Sequence, residues 1–181
     1  MRQLFTYLVA STLMASLHHP TASAEAAKTP KAGDKAPLIE AKDQGGKEWR
    51  LKDALGKQAV LLYFYPKDDT PGCTAEACGL RDRMGDLKKD NVQVVGVSFD
   101  PADSHQKFIS KYNLNFPLLV DADGKIADAY GARMTGKNIA RRVSFLIDKN
   151  GVIQHVTDNP SATVHLTEMK DAVTALHKEG H

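Results

Sequence analysis

The two cysteines of the chain, Cys73 and Cys78, follow an apolar run at residues 59–65. A continuous apolar run without polar alternation is typical of a strand that is covered on both faces, in the middle of a sheet. The pattern of residues 74–89 predicts a helix, with Ala75, Cys78, Leu80, Met84 and Leu87 facing inward. A buried strand that leads into a thiol-bearing helix favours a layered α/β fold and indicates redox chemistry.

The remaining periodic segments complete one α/β sandwich around a central mixed sheet, with helices on its flanks. Asp100 is expected to cap a helix whose first residue is Pro101, because this pair is typical of a helix start. Gly131 is expected to end a brief helix. The expected strands are 36–43, 47–51, 92–99, 116–120, 143–148 and 152–156, and the expected helices are 101–112, 125–130 and 164–178.

The N-terminal residues have the features of a secretory signal peptide. Arg2 precedes an apolar segment at 4–17, and a small-x-small site ends at Ala24. This segment is shorter than the roughly 20 residues that span a bilayer. We therefore expect 1–24 to be removed, which would leave an exported, periplasmic protein without a membrane segment. We expect a flexible lead-in at 25–32 and one domain at 33–181. The formal charge of +2 is too small to indicate a nucleic-acid partner.

The start of the helix after the apolar run favours a reactive thiol. Thr70 is a plausible N-cap and Pro71 a plausible first helical residue, so Cys73 falls in the first turn. Unpaired backbone N–H groups and the positive end of the helix dipole lie there. Both favour a thiolate over a thiol, whereas a structural disulfide has no need of this position.

The spacing of the cysteines limits how they can pair. On an intact helix, Cys73 and Cys78 would have Cα atoms roughly 8–9 Å apart. A disulfide needs less than about 7 Å. Either the helix does not cover both cysteines, or its first turns unwind when the bond forms. Gly79 is a weak helix former and would ease the second route.

The residues around the first cysteine resemble a known enzyme signature. Pro66, Thr70 and Cys73 match the active-site pattern of peroxiredoxins, and residues 70–82 look like the bacterioferritin-comigratory or Q-type subfamily. The similarity runs from about Gly33 to the C-terminus and includes the strand that begins at Arg142. It implies a thioredoxin-like fold and a thiol peroxidase that reduces hydrogen peroxide and organic hydroperoxides, here in the exported form that the N-terminal segment predicts.

The resemblance also implies a role for each matching residue. Cys73 would be the peroxidatic cysteine, which becomes a sulfenic acid. Thr70 would hold the peroxide, Pro66 would shield the pocket, and Arg142 would stabilise the thiolate and the leaving oxygen. Strand alternation points the adjacent Arg141 to the other face, and a slip of one residue would exchange the two arginines.

The resemblance implies a second cysteine function and a set of partners. Cys78 would resolve the sulfenic acid as an intramolecular Cys73–Cys78 disulfide, which a thioredoxin-like dithiol donor would reduce. We expect a monomer, no cofactor and no metal. Gly72 and Glu76 are secondary candidates at the substrate site, and Glu76 could equally complement the helix dipole.

Other polar residues have simpler interpretations. Arg81 and Asp82 match the subfamily pattern but could form an exposed ion pair. His165 aligns roughly with a family position but is interpreted as a helix-start or surface residue. His177 and His181 are spaced as metal-binding pairs can be, near the C-terminus.

Three other functions use paired cysteines. A structural disulfide requires that 73–78 is not helical. Copper-carrying thioredoxin-like proteins favour three residues between the cysteines and use a distant histidine, and disulfide reductases use two. Four residues separate Cys73 from Cys78 here, which favours the peroxidase.

Overall fold

The computed structural model describes residues 28–178, which form a five-stranded sheet flanked by helices and a separate two-stranded ribbon. The predicted α/β sandwich is confirmed. The strands are β1 Glu40–Lys42, β2 Glu48–Arg50, β3 Ala59–Phe64, β4 Val92–Ser98, β5 Leu118–Val120, β6 Val143–Ile147 and β7 Ile153–Asp158. The helices are α1 Leu51–Ala54, α2 Pro71–Asp82, α3 Met84–Lys89, α4 Ala102–Tyr112, α5 Lys125–Ala129 and α6 Ala162–Lys178.

Strand β3 lies at the centre of the sheet, whose order is β5-β4-β3-β6-β7. It pairs parallel with β4 and antiparallel with β6, so the sheet is mixed as expected. All six of its residues are buried, which matches its unbroken apolar sequence. The C-terminal end of β3 leads through a short loop into α2, so the most firmly held strand of the sheet positions the cysteine-bearing helix.

Two apolar cores cover the two faces of the sheet. Side chains alternate along β3, so successive residues enter opposite cores, and each fully buried large side chain contributes roughly 1.5–3 kcal/mol. Cys73 belongs to the core that α2 and α6 help to form. The β3 residues Val60, Leu62 and Phe64 enter one core, and Leu61 and Tyr63, followed by Tyr65 just beyond the strand, enter the other.

The helix predicted over 74–89 is two helices. Arg83 leaves the α-helical conformation at φ −95° and ψ 0°, which separates α2 from α3. The predicted inward face was also partly wrong, because Ala75 is exposed and Cys78 only partly buried. The buried face of α2 contains a carboxylate, Glu76, which a hydrophobic pattern cannot identify as inward. That face consists of Cys73, Glu76, Ala77 and Leu80.

Smaller differences concern helix starts. Helix α4 begins at Ala102 with Pro101 as N-cap, one residue later than predicted. Asp100 does not cap α4, because its carboxylate instead accepts hydrogen bonds from Ser98 Oγ and the Asp68 N–H. Helix α1 was not predicted, since its four residues are too few to show a helical period.

Two predictions concern the ends of the chain. The signal peptide, its cleavage site at Ala24 and His181 lie outside the described residues. Within residues 28–178, no helix has the length and apolar character needed to cross a membrane. Of the lead-in, residues 28–32 are described, and the Thr29 hydroxyl accepts a hydrogen bond from Arg141 Nη2 at 2.6 Å.

Candidate active site

Cys73 lies in the first turn of α2, where the sequence predicts it. Thr70 is the N-cap residue, Pro71 is the first helical residue, and Cys73 is 2% exposed. The Thr70 hydroxyl does not cap the helix but donates to the Lys67 carbonyl at 3.0 Å. Its oxygen therefore keeps lone pairs that can accept a further hydrogen bond. The first-turn position exposes the sulfur to the positive end of the helix dipole.

The guanidinium of Arg142 lies against Cys73. Arg142 Nη2 donates to Cys73 Sγ at 3.4 Å, and Arg142 Nε donates to the Pro160 carbonyl at 3.1 Å. A Cβ atom on Gly72 would lie 3.1 Å from Arg142 Nη2, so the glycine gives the guanidinium room to approach. The geometry places a fixed positive charge beside the sulfur, which favours a thiolate.

The neighbouring arginine points elsewhere. Arg141 Nη2 donates to the Gly131 carbonyl at 2.9 Å and to the Thr29 hydroxyl, and Arg141 also forms an ion pair with Asp158. Arg142 and not Arg141 therefore contacts Cys73, as the unslipped register predicts.

Glu76 is the second charged partner of Arg142. It is 1% exposed, and its Oε2 forms an ion pair with Arg142 Nη1. Burial raises the pKa of Glu76 to about 7, although the adjacent Arg142 acts in the opposite direction. Glu76 Oε1 has no hydrogen-bond donor among residues 28–178. One arginine thus serves both a thiol and a carboxyl group that titrates close to neutral pH.

His165 extends this cluster. It lies in the first turn of α6, as expected of a helix-start residue, but it is buried rather than at the surface. It is 2% exposed, with Nδ1 2.7 Å from Ser144 Oγ and Nε2 2.8 Å from the Asn159 carbonyl. Its Nδ1 also lies 3.5 Å from Glu76 Oε1. Because Nε2 faces a carbonyl, it carries the proton, and Nδ1 of the neutral ring accepts from Ser144. Burial lowers the pKa of His165.

The burial of His165 could have been predicted from helical spacing. The buried face of α6 consists of His165, Met169, Val173 and Leu176, which recur at helical intervals.

Cys78 lies further along the same intact helix. Helix α2 covers both cysteines, and both are free thiols. The first of the two routes suggested by their spacing is therefore excluded, and a bond between them requires α2 to unwind. A permanent structural disulfide is inconsistent with this state. Pro66 is partly buried in the loop between β3 and α2.

The remaining sequence candidates lie on the surface. Arg81 pairs with Asp82 at 2.8 Å, and Arg81 Nη1 also donates to the Tyr112 carbonyl at 2.6 Å. His177 is exposed and lies 3.9 Å from Asp90. Within residues 28–178, no three His, Cys, Asp or Glu side chains form a group that could hold a metal ion.

A second buried polar cluster was missed by sequence reasoning. Asp68 Oδ1 accepts from the Tyr65 hydroxyl at 2.7 Å, and Oδ2 lies 2.7 Å from Ser104 Oγ and 2.8 Å from His105 Nδ1. Burial opposes ionisation of Asp68, but the hydrogen bonds from His105, Tyr65 and Ser104 outweigh it and lower its pKa. His105 Nε2 lies 3.2 Å from the Leu119 carbonyl. Asp68 lies in a loop and His105 in α4, and no local sequence pattern links the two.

The geometry around Cys73 is suited to a reaction in which the sulfur of Cys73 is the nucleophile. A thiolate at the helix start would be stabilised by Arg142, whose charge could also stabilise an oxygen leaving group. The second thiol lies on an element that must move before it can reach the first. These features permit a cycle in which Cys73 is oxidised and Cys78 then reacts with it.

Comparison with known proteins is consistent with this chemistry. The AhpC/TSA family model matches residues 32–156. Peroxiredoxin Bcp of Escherichia coli (strain K12) is 45% identical over 141 residues, which cover 75% of this chain and 90% of that protein.

Solved structures give the same result. Peroxidoxin BcpB from Mycobacterium tuberculosis has a TM-score of 0.75 and 33% identity, over 80% of this chain and 97% of that one. A Xanthomonas campestris bacterioferritin comigratory protein, described for its alkyl peroxide reduction activity, has a TM-score of 0.72 and 26% identity. The match covers 80% of this chain and 99% of that one. On the extent of the family match and of the identity to these relatives, the chain belongs to the AhpC/TSA family and is a peroxiredoxin related to the Bcp and Q types.

Proposed function

We propose that Cys73 is the residue at which this peroxiredoxin, a thiol-dependent peroxidase, reduces hydrogen peroxide and organic hydroperoxides. The Cys73 thiolate attacks one peroxide oxygen, so that an S–O bond forms and the O–O bond breaks. Cysteine is oxidised to a sulfenic acid. The other oxygen leaves as hydroxide or alkoxide, takes up one proton, and departs as water or an alcohol.

The surrounding residues act on the charges of this step. Arg142 stabilises the thiolate and the negative charge that develops on the leaving oxygen. Thr70 accepts a hydrogen bond from the peroxide through the lone pairs of its hydroxyl. Pro66 limits the access of water, and Gly72 leaves space for the guanidinium of Arg142.

Cys78 completes the cycle. After the first turns of α2 unwind, the Cys78 thiolate attacks the sulfenic sulfur, an S–S bond forms, and hydroxide leaves and takes up a proton to give water. A thioredoxin-like dithiol donor then reduces the disulfide by exchange and is itself oxidised. Unwinding is favoured by the position of Cys73 in the first turn, since helix ends open at low free energy.

The contact of Arg142 Nη2 with Cys73 Sγ at the start of α2 carries this proposal. Peroxide consumption with a dithiol donor, measured for Cys73→Ser and Cys78→Ser, provides the test. We expect Cys73→Ser to be inactive. Cys78→Ser should react once per chain and then accumulate sulfenic or sulfinic acid. Full activity in Cys73→Ser would refute the assignment, and normal turnover of Cys78→Ser with a dithiol donor alone would refute the role of Cys78.

We propose in addition that the protein is exported to the periplasm after cleavage behind Ala24 and acts as a monomer. The apolar segment at 4–17 and the small residues before the cut support export. An intramolecular disulfide needs no second chain, which supports the monomer. Mass spectrometry of the protein from expressing cells would give its N-terminus, and sedimentation velocity would give its mass. An intact N-terminus would contradict cleavage, and a stable dimer would contradict the monomer.

A further inference from the structure

One peptide group, between Lys67 and Asp68, joins the active-site threonine to the end of strand β4. Its carbonyl, on Lys67, accepts a hydrogen bond from the Thr70 hydroxyl at 3.0 Å. Its N–H, on Asp68, donates to Asp100 Oδ2 at 3.0 Å. Because a peptide group is planar, a bond that fixes its N–H also fixes the direction of its carbonyl. The Asp100 carboxylate therefore sets the direction in which Thr70 donates.

The Asp100 carboxylate is itself held firmly. Asp100 Oδ2 accepts from Ser98 Oγ at 2.7 Å, and the Asp100 N–H donates back to Ser98 Oγ at 3.1 Å. Ser98 is the last residue of β4 and is completely buried. The reciprocal pair thus connects Asp100 to a buried strand that lies next to the central β3.

The side chain of Asp68 holds the same peptide group from the other direction. Its carboxylate is bound to Ser104 and His105 at the start of α4, so the loop cannot shift without breaking buried hydrogen bonds. The next residue, Asp69, has a φ of 55° and accepts from Lys111 Nζ and the Tyr112 hydroxyl at the end of α4. The loop before Cys73 is therefore held by hydrogen bonds to both ends of α4.

We propose that Asp100 is a positioning residue for the peroxidase reaction, and that it acts through the Lys67–Asp68 peptide on the hydroxyl of Thr70. Since the Thr70 proton is directed to Lys67, its oxygen presents lone pairs to a peroxide O–H. Without Asp100, the peptide group can rotate and the Thr70 hydroxyl can turn away from that direction. This inference depends on the proposed role of Thr70 in binding the peroxide.

The test compares two reactions of reduced Cys73. Stopped-flow measurement gives the rate constant with hydrogen peroxide, which uses Thr70. Alkylation by iodoacetamide at the same pH reports the thiolate alone. In Asp100→Ala we expect the peroxide rate constant to fall roughly ten- to hundredfold, as misplacement of a binding group can cause. The alkylation rate should not change.

Two further variants control for a general loss of structure. Asp100→Asn keeps an acceptor oxygen for the Asp68 N–H and should restore most of the peroxide rate. Asp103→Ala removes an exposed carboxylate on α4 that pairs with Lys107, and it should react like the wild type. Equal losses in Asp100→Asn and Asp100→Ala, or parallel losses of peroxide and alkylation rates, would overturn the inference.

A double-variant cycle separates this inference from the proposed function. In a Thr70→Val background, Asp100→Ala should cause no further loss, because the hydroxyl through which it acts is absent. If Thr70→Val is slow and Asp100→Ala lowers its rate by the full factor again, Asp100 does not act through Thr70 and the inference alone fails. If Thr70→Val reacts at the wild-type rate, the role of Thr70 fails together with the inference. The role of Cys73 is decided separately by Cys73→Ser.

Discussion

Asp68 and Glu76 are both buried carboxylates that face a histidine, one before and one after Cys73 in the chain, yet their pKa values are shifted in opposite directions. The pKa of Asp68 is lowered, although burial opposes this, because three side chains form hydrogen bonds with it. The pKa of Glu76 is raised to about 7 by burial, against the effect of Arg142. Its second oxygen has no hydrogen-bond donor among residues 28–178.

The difference shows how hydrogen bonding decides what a buried carboxylate can do. Asp68 is compensated on both oxygens and anchors the loop to α4. Glu76 shares Arg142 with Cys73, so its protonation changes how much of that positive charge acts on the sulfur alone. A satisfied pair holds geometry, whereas an incompletely satisfied pair can respond to pH.

The largest effect is expected where the satisfied pair is broken. Asp68→Asn replaces an acceptor oxygen by an amide donor, so Ser104 and His105 lose the oxygen to which both donate, and the free energy of unfolding should fall by about 3–5 kcal/mol. Urea denaturation at neutral pH measures this. Asp69→Asn is the matched control, since Asp69 pairs with Lys111 at the surface and should change stability by less than about 1 kcal/mol. Similar small losses in both variants would contradict the anchoring role of Asp68.

The same pair should make the protein sensitive to acid. Because the folded-state pKa of Asp68 lies below its usual value of 3.8, its ionised form contributes stability above that pH. This contribution is lost as the pH falls through the lowered pKa. Asp68→Asn should therefore lose less stability than the wild type on acidification, as followed by circular dichroism. Parallel acid unfolding curves of Asp68→Asn and the wild type would show that Asp68 does not cause the acid sensitivity.

A somewhat smaller effect is expected at the shared cation. Arg142→Gln removes the charge next to Cys73 and should slow the reaction with peroxide by roughly 10²–10³, or about 3–4 kcal/mol. Arg141→Gln is the control, because Arg141 bonds to Gly131 away from the thiol, and its peroxide rate should remain at the wild-type level. Equal losses of the peroxide rate in the two variants would show that the rate does not depend on a positive charge next to Cys73.

The next prediction tests the unsatisfied carboxylate. A group whose folded pKa is raised stabilises the fold fully below its unfolded pKa and loses this effect as the pH rises through the folded value. For Glu76 the window runs from 4.5 to about 7. Glu76→Gln should lack this fall, which in the wild type amounts to about 3 kcal/mol between pH 4.5 and pH 8. Urea denaturation across this range measures it, and an unchanged slope would show that Glu76 does not titrate there.

The smallest effect is expected at the edge of the Glu76 cluster. Ser144→Ala removes the hydroxyl that lies 2.7 Å from His165 Nδ1 and should lower the free energy of unfolding by about 1 kcal/mol. Thr174→Ala, which removes an exposed hydroxyl bonded within α6, is the control and should have a smaller effect. A loss at Ser144 no larger than at Thr174 would indicate that His165 does not depend on this contact.

Much of the fold could be predicted because it depends on local patterns. The apolar run predicted β3 at the centre of the sheet, and Thr70 with Pro71 predicted where α2 begins. The break at Arg83 could not be predicted, since its guanidinium donates to the Leu166 carbonyl in a distant helix. The predicted inward face of α2 was partly wrong because Glu76 is buried in an ion pair with Arg142, which a hydrophobic pattern does not reveal.

The position of Cys73 at a helix start, the strand before it and its spacing from Cys78 follow from the sequence alone, because each depends on residues close together in the chain. The contact partners of Cys73, Glu76 and Asp68 depend on the tertiary structure. It brought Arg142 to Cys73, His165 to Glu76, and His105 to Asp68. These residues are remote in the chain, and their contacts depend on how the helices pack on the sheet, which local propensity does not specify.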